Sequence, residues 1–181
     1  MTLYLADLVK QLDTLNLDEV NAILIILRGS SFVYVIGNGG SAANASHLSL
    51  HLADAGLRAM DLTAEAPYLT AQANDHGYAK ALLNRLRGLG RSTDTLVAIS
   101  GSGDSPNILA ALAEAKRLRM DRVGLLGFGG GAAKELCSVS LVVQSRNYGI
   151  IEDCHSACIH ALASLLAAPP AHARNPSDPA S

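Results

Sequence analysis

The chain has 181 residues, 49% of them hydrophobic and 17% charged, with a formal net charge of −2. That length suits one domain with a core of its own, and the low charge excludes charge-driven disorder for the bulk of the chain. Fourteen basic and sixteen acidic residues, never in a block of like charges, leave no electrostatic footprint for a nucleic-acid partner.

Taken in order, the pattern opens with two amphipathic helices, over residues 2–14 and 17–28. Leu3, Leu5, Leu8 and Leu12 mark the first apolar stripe, and Val20, Ile23, Leu24 and Leu27 the second. A strand over Phe32–Ile36 runs into the turn Gly37-Asn38-Gly39-Gly40-Ser41, and a helix follows over Ala42–Leu52. A weak strand near Arg58–Leu62 precedes helices over 66–73 and 77–89. A strand over Thr95–Ile99 ends in Ser100-Gly101-Ser102-Gly103-Asp104-Ser105. Pro106 then stands in a first helical turn, ahead of a helix over Asn107–Arg119. Arg122–Leu126 and Val139–Val143 are two further strands, separated by a glycine turn and a short helix. The last helix runs from about Ile150 to Ala167.

Short apolar strands alternating with helices predict an α/β fold, a sandwich of helices around a buried parallel sheet. Residues 1–167 form the expected domain. The tail over 168–181, rich in proline, is expected to be disordered. The amino terminus lacks the basic-then-apolar order of a signal peptide. The longest uncharged stretch, Cys154–Ala173, carries histidines, serines and a Pro-Pro pair and makes a poor membrane span. Three cysteines at no disulfide or zinc-ribbon spacing fit reduced thiols, and so a cytoplasmic location.

Two loops and two histidine clusters carry the chemistry. The Ser100–Ser105 loop joins a strand to a helix N-terminus, where free backbone N–H groups and the helix dipole favour an anion. It has no lysine and no P-loop spacing, so a terminal phosphate on a small metabolite fits better than a nucleoside triphosphate. The competing explanation is an ordinary turn in which Ser105 simply caps the helix. The Gly37–Ser41 turn lacks the third glycine of a dinucleotide fingerprint, so no nucleotide cofactor is expected. His47 and His51, four apart, share a helix face. Glu152 and His160, eight apart, differ by about 80° in projection and can reach one site from successive turns. His155 lies on the same broad side, and spacing does not choose between it and His160. Cys154 and Cys158 project to the opposite, core side.

The strings GNGGSAANASH at 37–47, TAQAND at 70–75, AISGSGDS at 98–105 and IEDCHSACIH at 151–160 occur in one order. Together they resemble the sugar isomerase (SIS) domain family, and within it the phosphoheptose isomerases, over roughly residues 1–167. The resemblance implies a five-stranded parallel sheet between helices, a flavodoxin-like or Rossmann-like arrangement. Its N-terminal helices, here over 1–29, would build a homotetramer. The resemblance also implies a phosphosugar substrate, aldose–ketose isomerisation, and a phosphate site of Ser100, Gly101, Ser102 and Ser105. A threonine is usual at position 101. Asn38, Gly39, Gly40, Asn74 and Asp75 would hold the sugar chain, with Glu152 among the substrate contacts. A divalent metal, zinc foremost, would be held by His47, His51, Glu152 and His160, the eight-residue spacing selecting His160 over His155. Two of those four positions depart from the family: His51 replaces a glutamate that serves as base, and Glu152 replaces a glutamine. The arginine expected four residues after that base is Ala55 here, with Arg58 a conceivable substitute. Proton transfer then falls to His160 with His51 or Glu152. If all four groups hold a metal, it passes to Asp153 or to water on the ion. The rival reading is a non-catalytic SIS tetramer that binds a phosphosugar or a protein, such as those that associate with the replication initiator.

Overall fold

The computed structural model describes residues 1–167; the expected tail over 168–181 lies outside the described residues. The elements run α1 (Thr2–Asp13), α2 (Leu17–Gly29), β1 (Val33–Ile36), α3 (Gly40–Asp54), β2 (Ala59–Asp61), α4 (Ala66–His76), α5 (Tyr78–Leu89) and β3 (Thr95–Ser100). They continue with α6 (Pro106–Arg117), β4 (Asp121–Leu126), α7 (Ala133–Leu136), β5 (Val139–Val142) and α8 (Tyr148–Ala167). All strand pairs are parallel, in the order β2-β1-β3-β4-β5. The expected α/β class and five-stranded parallel sheet are therefore present. The winding direction reverses between β1 and β3, which pair Val33 with Thr95 and Ile36 with Ala98. At such a reversal the two following loops diverge and leave a crevice beyond the strand carboxyl ends.

The two faces of the sheet bury alternate strand residues, as the two-residue period requires. Val33, Val35, Val97, Ile99, Val123, Leu125 and Leu141 pack with residues of α2, α3 and α8. Tyr34, Ile36, Leu96, Ala98 and Leu126 face the other way, against side chains of α5 and α6. With almost no aromatic bulk, small and branched aliphatic side chains let helices sit close to the sheet. Burial of that kind stabilises by about 25 cal/mol per Å² of apolar surface.

Helix boundaries moved where glycine or capping chemistry intervened. α3 begins at Gly40, two residues earlier than expected, because Gly39 at φ 56° turns the chain directly into the helix. α6 stops at Arg117, two residues short of expectation, and Arg119 adopts φ 61° in the turn that follows. The stripe expected on α1 is only half an internal one. Leu8 and Leu12 pack toward Ile150, Ile151 and Cys154, whereas Leu3 and Leu5 stay exposed. On α2, Ile23, Leu24 and Leu27 are buried as expected.

α8 has 20 residues and is long and apolar enough by composition to cross a membrane. Its apolar side chains Ile150, Ile151, Ile159 and Leu162 are instead buried in the cores of the fold. Cys154 and Cys158 are also buried there, and burial pushes their thiols up to about 11 and about 12. His155 is wholly buried. Its Nε2 meets the Leu126 carbonyl at 3.2 Å, while Nδ1 has no partner among the described residues. Burial holds this imidazole down to about 4, so it is neutral and its Nε2–H donates to the end of β4. It is a packing residue that ties α8 to the sheet.

Candidate active site

The crevice between β1 and β3 contains a cavity of about 100 Å³ lined by Asn38, Ser41, Ser100, Gly101, Ser102, Ser105, Tyr148 and Glu152. Its floor is the Ser100–Ser105 loop. The Ser100 hydroxyl accepts the Gly103 N–H at 3.1 Å, and the Ser102 hydroxyl accepts the Asp104 N–H at 3.2 Å. Gly103 has φ 71°, and a Cβ there would stand 2.0 Å from the Gly130 carbonyl oxygen, so only glycine closes this turn. Asp104 accepts the Ala132 N–H at 2.8 Å, which braces the loop from the glycine turn after β4. Ser105 is the N-cap residue of α6, yet its side chain makes no capping hydrogen bond. Its hydroxyl is thus not spent on the helix, which weighs against a simple cap and leaves a donor for a ligand.

The turn after β1 forms the opposite wall. A Cβ on Gly37 would approach the Ser41 carbonyl oxygen to 2.3 Å. One on Gly40 would meet the Glu152 carboxylate at the same distance, so a side chain there would displace that carboxylate from its present seat. The Asn44 amide donates to the Glu152 carbonyl at 3.0 Å and locks the two helices. Asn38 is held by a reciprocal amide pair with Asn107, at 2.9 and 2.8 Å, and its oxygen also accepts the Tyr78 hydroxyl at 2.8 Å. Asn107 is buried and was missed in the sequence, because an Asn in a first helical turn reads as an ordinary surface residue. Asn74 and Asp75 are not among the lining residues. They sit exposed near the end of α4, with the Asn74 amide donating to Asp75 at 2.9 Å.

His47 and His51 on α3 and His160 on α8 converge. Their ligand atoms lie within 4.8 Å of one another. His47 Nε2 is 2.8 Å from His160 Nε2 and 3.2 Å from His51 Nε2. The three rings stand nearly perpendicular, at 81° to 86°. Burial first, then the charge of the other two imidazoles, lowers the His47 pKa and favours the neutral form that ligates metals. A neutral imidazole has one N–H, so three inward Nε2 atoms cannot all be satisfied by one another. Three such atoms fit the face of a tetrahedral ion with Zn–N distances of about 2.0–2.1 Å.

Glu152, the expected fourth member, is outside that group and lines the cavity instead. Eight helical residues are a rise of about 12 Å, which puts the two positions on different levels of α8. His51 and His160 open instead on a second cavity of about 430 Å³, with Asp54, Ala55 and Ser164 on its wall. The two remaining substitutes are placed elsewhere. Asp153 accepts the Tyr4 hydroxyl of α1 at 2.7 Å, and Arg58 lies 5.2 Å over the Phe32 ring beside the amino end of β1.

A five-stranded sheet of this order, with a serine loop at its reversal point and a histidine cluster on the adjoining helices, defines an α/β protein with a candidate anion site. The SIS domain model matches residues 4–127, and the chain belongs to the SIS domain family, among its phosphoheptose isomerases. Phosphoheptose isomerase 1 of Campylobacter jejuni is 37% identical over 146 residues, covering 77% of this chain and 78% of that protein. The phosphoheptose isomerase of Burkholderia pseudomallei is 40% identical over 140 residues, covering 74% and 71%. The structure of a phosphoheptose isomerase from Francisella tularensis superposes with a TM-score of 0.83 at 29% identity, covering 90% of this chain and 91% of that one.

Proposed function

We propose that the protein interconverts a ketose phosphate, sedoheptulose 7-phosphate or a close relative, and the corresponding D-glycero-heptose 7-phosphate through an enediol. The observation that carries this reading is the serine loop at the β1/β3 reversal, with its uncommitted Ser105 hydroxyl, sharing a cavity with residues of α3 and α8, the two helices that carry the histidine cluster. The hydroxyls and backbone of Ser100–Ser105 bind the phosphate, and that remote grip positions the reacting carbons. Removal of a proton from C1 of the ketose leaves its electron pair in a C1–C2 double bond, while the C2 oxygen takes up a proton. Return of a proton to C2 and loss of the O1 proton complete the aldose, with no oxidant or reductant required.

His160 and His51 are the proton-handling pair when their lone pairs are free. Together with His47, these two imidazoles would hold a divalent ion, zinc foremost, which when bound would polarise the sugar carbonyl. Glu152 then becomes the proton acceptor, since its carboxylate lines the cavity. The three free cysteines support a cytoplasmic location, and the exposed apolar residues of α1 support a homotetramer with its site at a subunit boundary.

Incubation of the protein with ketose 7-phosphates in deuterium oxide tests the reading. Deuterium is expected at C1 or C2. No exchange with any of several phosphosugars would overturn it in favour of the non-catalytic SIS tetramer.

A further inference from the structure

Gly101 and Tyr148 form a second, unassigned feature of the anion cavity. A Cβ built on Gly101 would stand 2.8 Å from both Cδ1 and Cε1 of Tyr148, closer than real side chains approach. The tyrosine ring therefore occupies the space that any other residue at 101 would fill. Tyr148 is the first residue of α8, lines the cavity beside Ser100, Ser102 and Ser105, and is 54% exposed. The ring also meets Phe128 at 4.9 Å between centroids, tilted by 52°. Phe128 is itself held at φ 49°, an unusual conformation for a bulky residue, with the Arg146 guanidinium 5.9 Å over its ring. The Tyr148 hydroxyl makes no hydrogen bond among the described residues.

A ring fitted into a gap that glycine leaves, and in contact with an aromatic held at positive φ, is more than an incidental surface tyrosine. We propose that Tyr148 is a substrate-binding residue of the phosphate site, its phenol hydroxyl donating to the bound phosphate, and that Gly101 is retained to admit its ring. The inference rests on the phosphosugar reading and adds a substrate-binding residue to it.

Affinity for inorganic phosphate, measured by calorimetry on the full chain, tests this without any turnover. Tyr148→Phe keeps the ring and removes the hydroxyl, and is expected to weaken phosphate binding about tenfold, the loss of one hydrogen bond to a charged group. Gly101→Ala, which displaces the ring, is expected to weaken it severalfold in the wild type and to have no further effect in a Tyr148→Ala background. Circular dichroism spectra matching the wild type show that the variants fold, and Tyr148→Phe changes no packing volume. Affinity of Tyr148→Phe within twofold of wild type, or an equal Gly101→Ala effect in both backgrounds, would overturn the pairing alone. A wild type that binds no phosphate would overturn the anion site as well.

Discussion

At the residue scale, the decisive rearrangement concerns Glu152. Its sequence spacing from His160 lets both reach one site, yet the carboxylate faces the serine loop and packs against Gly40, while the three imidazoles close on one another. The imidazole cluster and the carboxylate thereby meet α8 at two different levels. Metal content of protein purified without a histidine tag follows from that division. Wild type is expected to bind one zinc per chain, His47→Ala to lose it, and Glu152→Gln to keep it. Unchanged stoichiometry in His47→Ala would refute the three-histidine centre, and loss in Glu152→Gln would restore the four-ligand one.

At the element scale, the sheet reversal creates the site only if the helices on both faces stay put. On one face the bond from Asn44 to the Glu152 carbonyl locks α3 to α8. On the other, Glu114 of α6, only 4% exposed, accepts from Arg87 of α5 at 3.0 Å and from Arg117 at 2.7 Å. Hydrogen bonds from Arg117 and then Arg87 hold its carboxyl down to about 2. Because the folded carboxyl is more acidic than the unfolded one, its contribution is complete above the ordinary value of 4.5 and is lost as pH falls toward about 2. Glu114→Gln is expected to lower stability by about 1–3 kcal/mol near neutral pH. In urea unfolding that deficit should shrink steadily as the pH is lowered through this window. A deficit independent of pH would show that the clasp does not act through charge.

At the scale of the whole molecule, the low charge has a location. Leu3, Leu5 and Val9 of α1 and Leu17 and Ile25 of α2 are exposed in one chain. Beside them Leu12, Leu15, Val20, Leu162 and Leu165 line an apolar groove of about 320 Å³. Apolar surface of this extent on two adjoining helices is what a subunit interface buries. Sedimentation equilibrium is expected to give about four times the 18.8 kDa chain mass. Leu3→Glu combined with Val9→Glu should shift the mass toward smaller species. A monomeric wild type would remove the subunit-boundary site from the proposal.

Much of this was legible in the chain itself. The strand–glycine turn–helix order, the buried strands and the serine loop follow from local periodicity and turn chemistry, which neighbours in sequence determine. The convergence of His47 and His51 likewise follows from helical pitch. What spacing alone could not settle was anything depending on which helix lies beside which. The choice of His160 over His155 needed the family resemblance. The structure shows its physical basis: one faces α3 across the helix pair, and the other is buried against the end of β4. The Asn38–Asn107 pair and the seating of Tyr148 over Gly101 are contacts between residues far apart in the chain, and the separation of Glu152 from the histidines depends on how α8 lies against α3. They are decided by sheet order and close helix packing, and no local pattern encodes them. That the chain is poor in charge is a property of its composition alone. That its uncovered apolar surface gathers on α1 and α2 was decided only by the fold, because α8 and the sheet bury just one side of each helix.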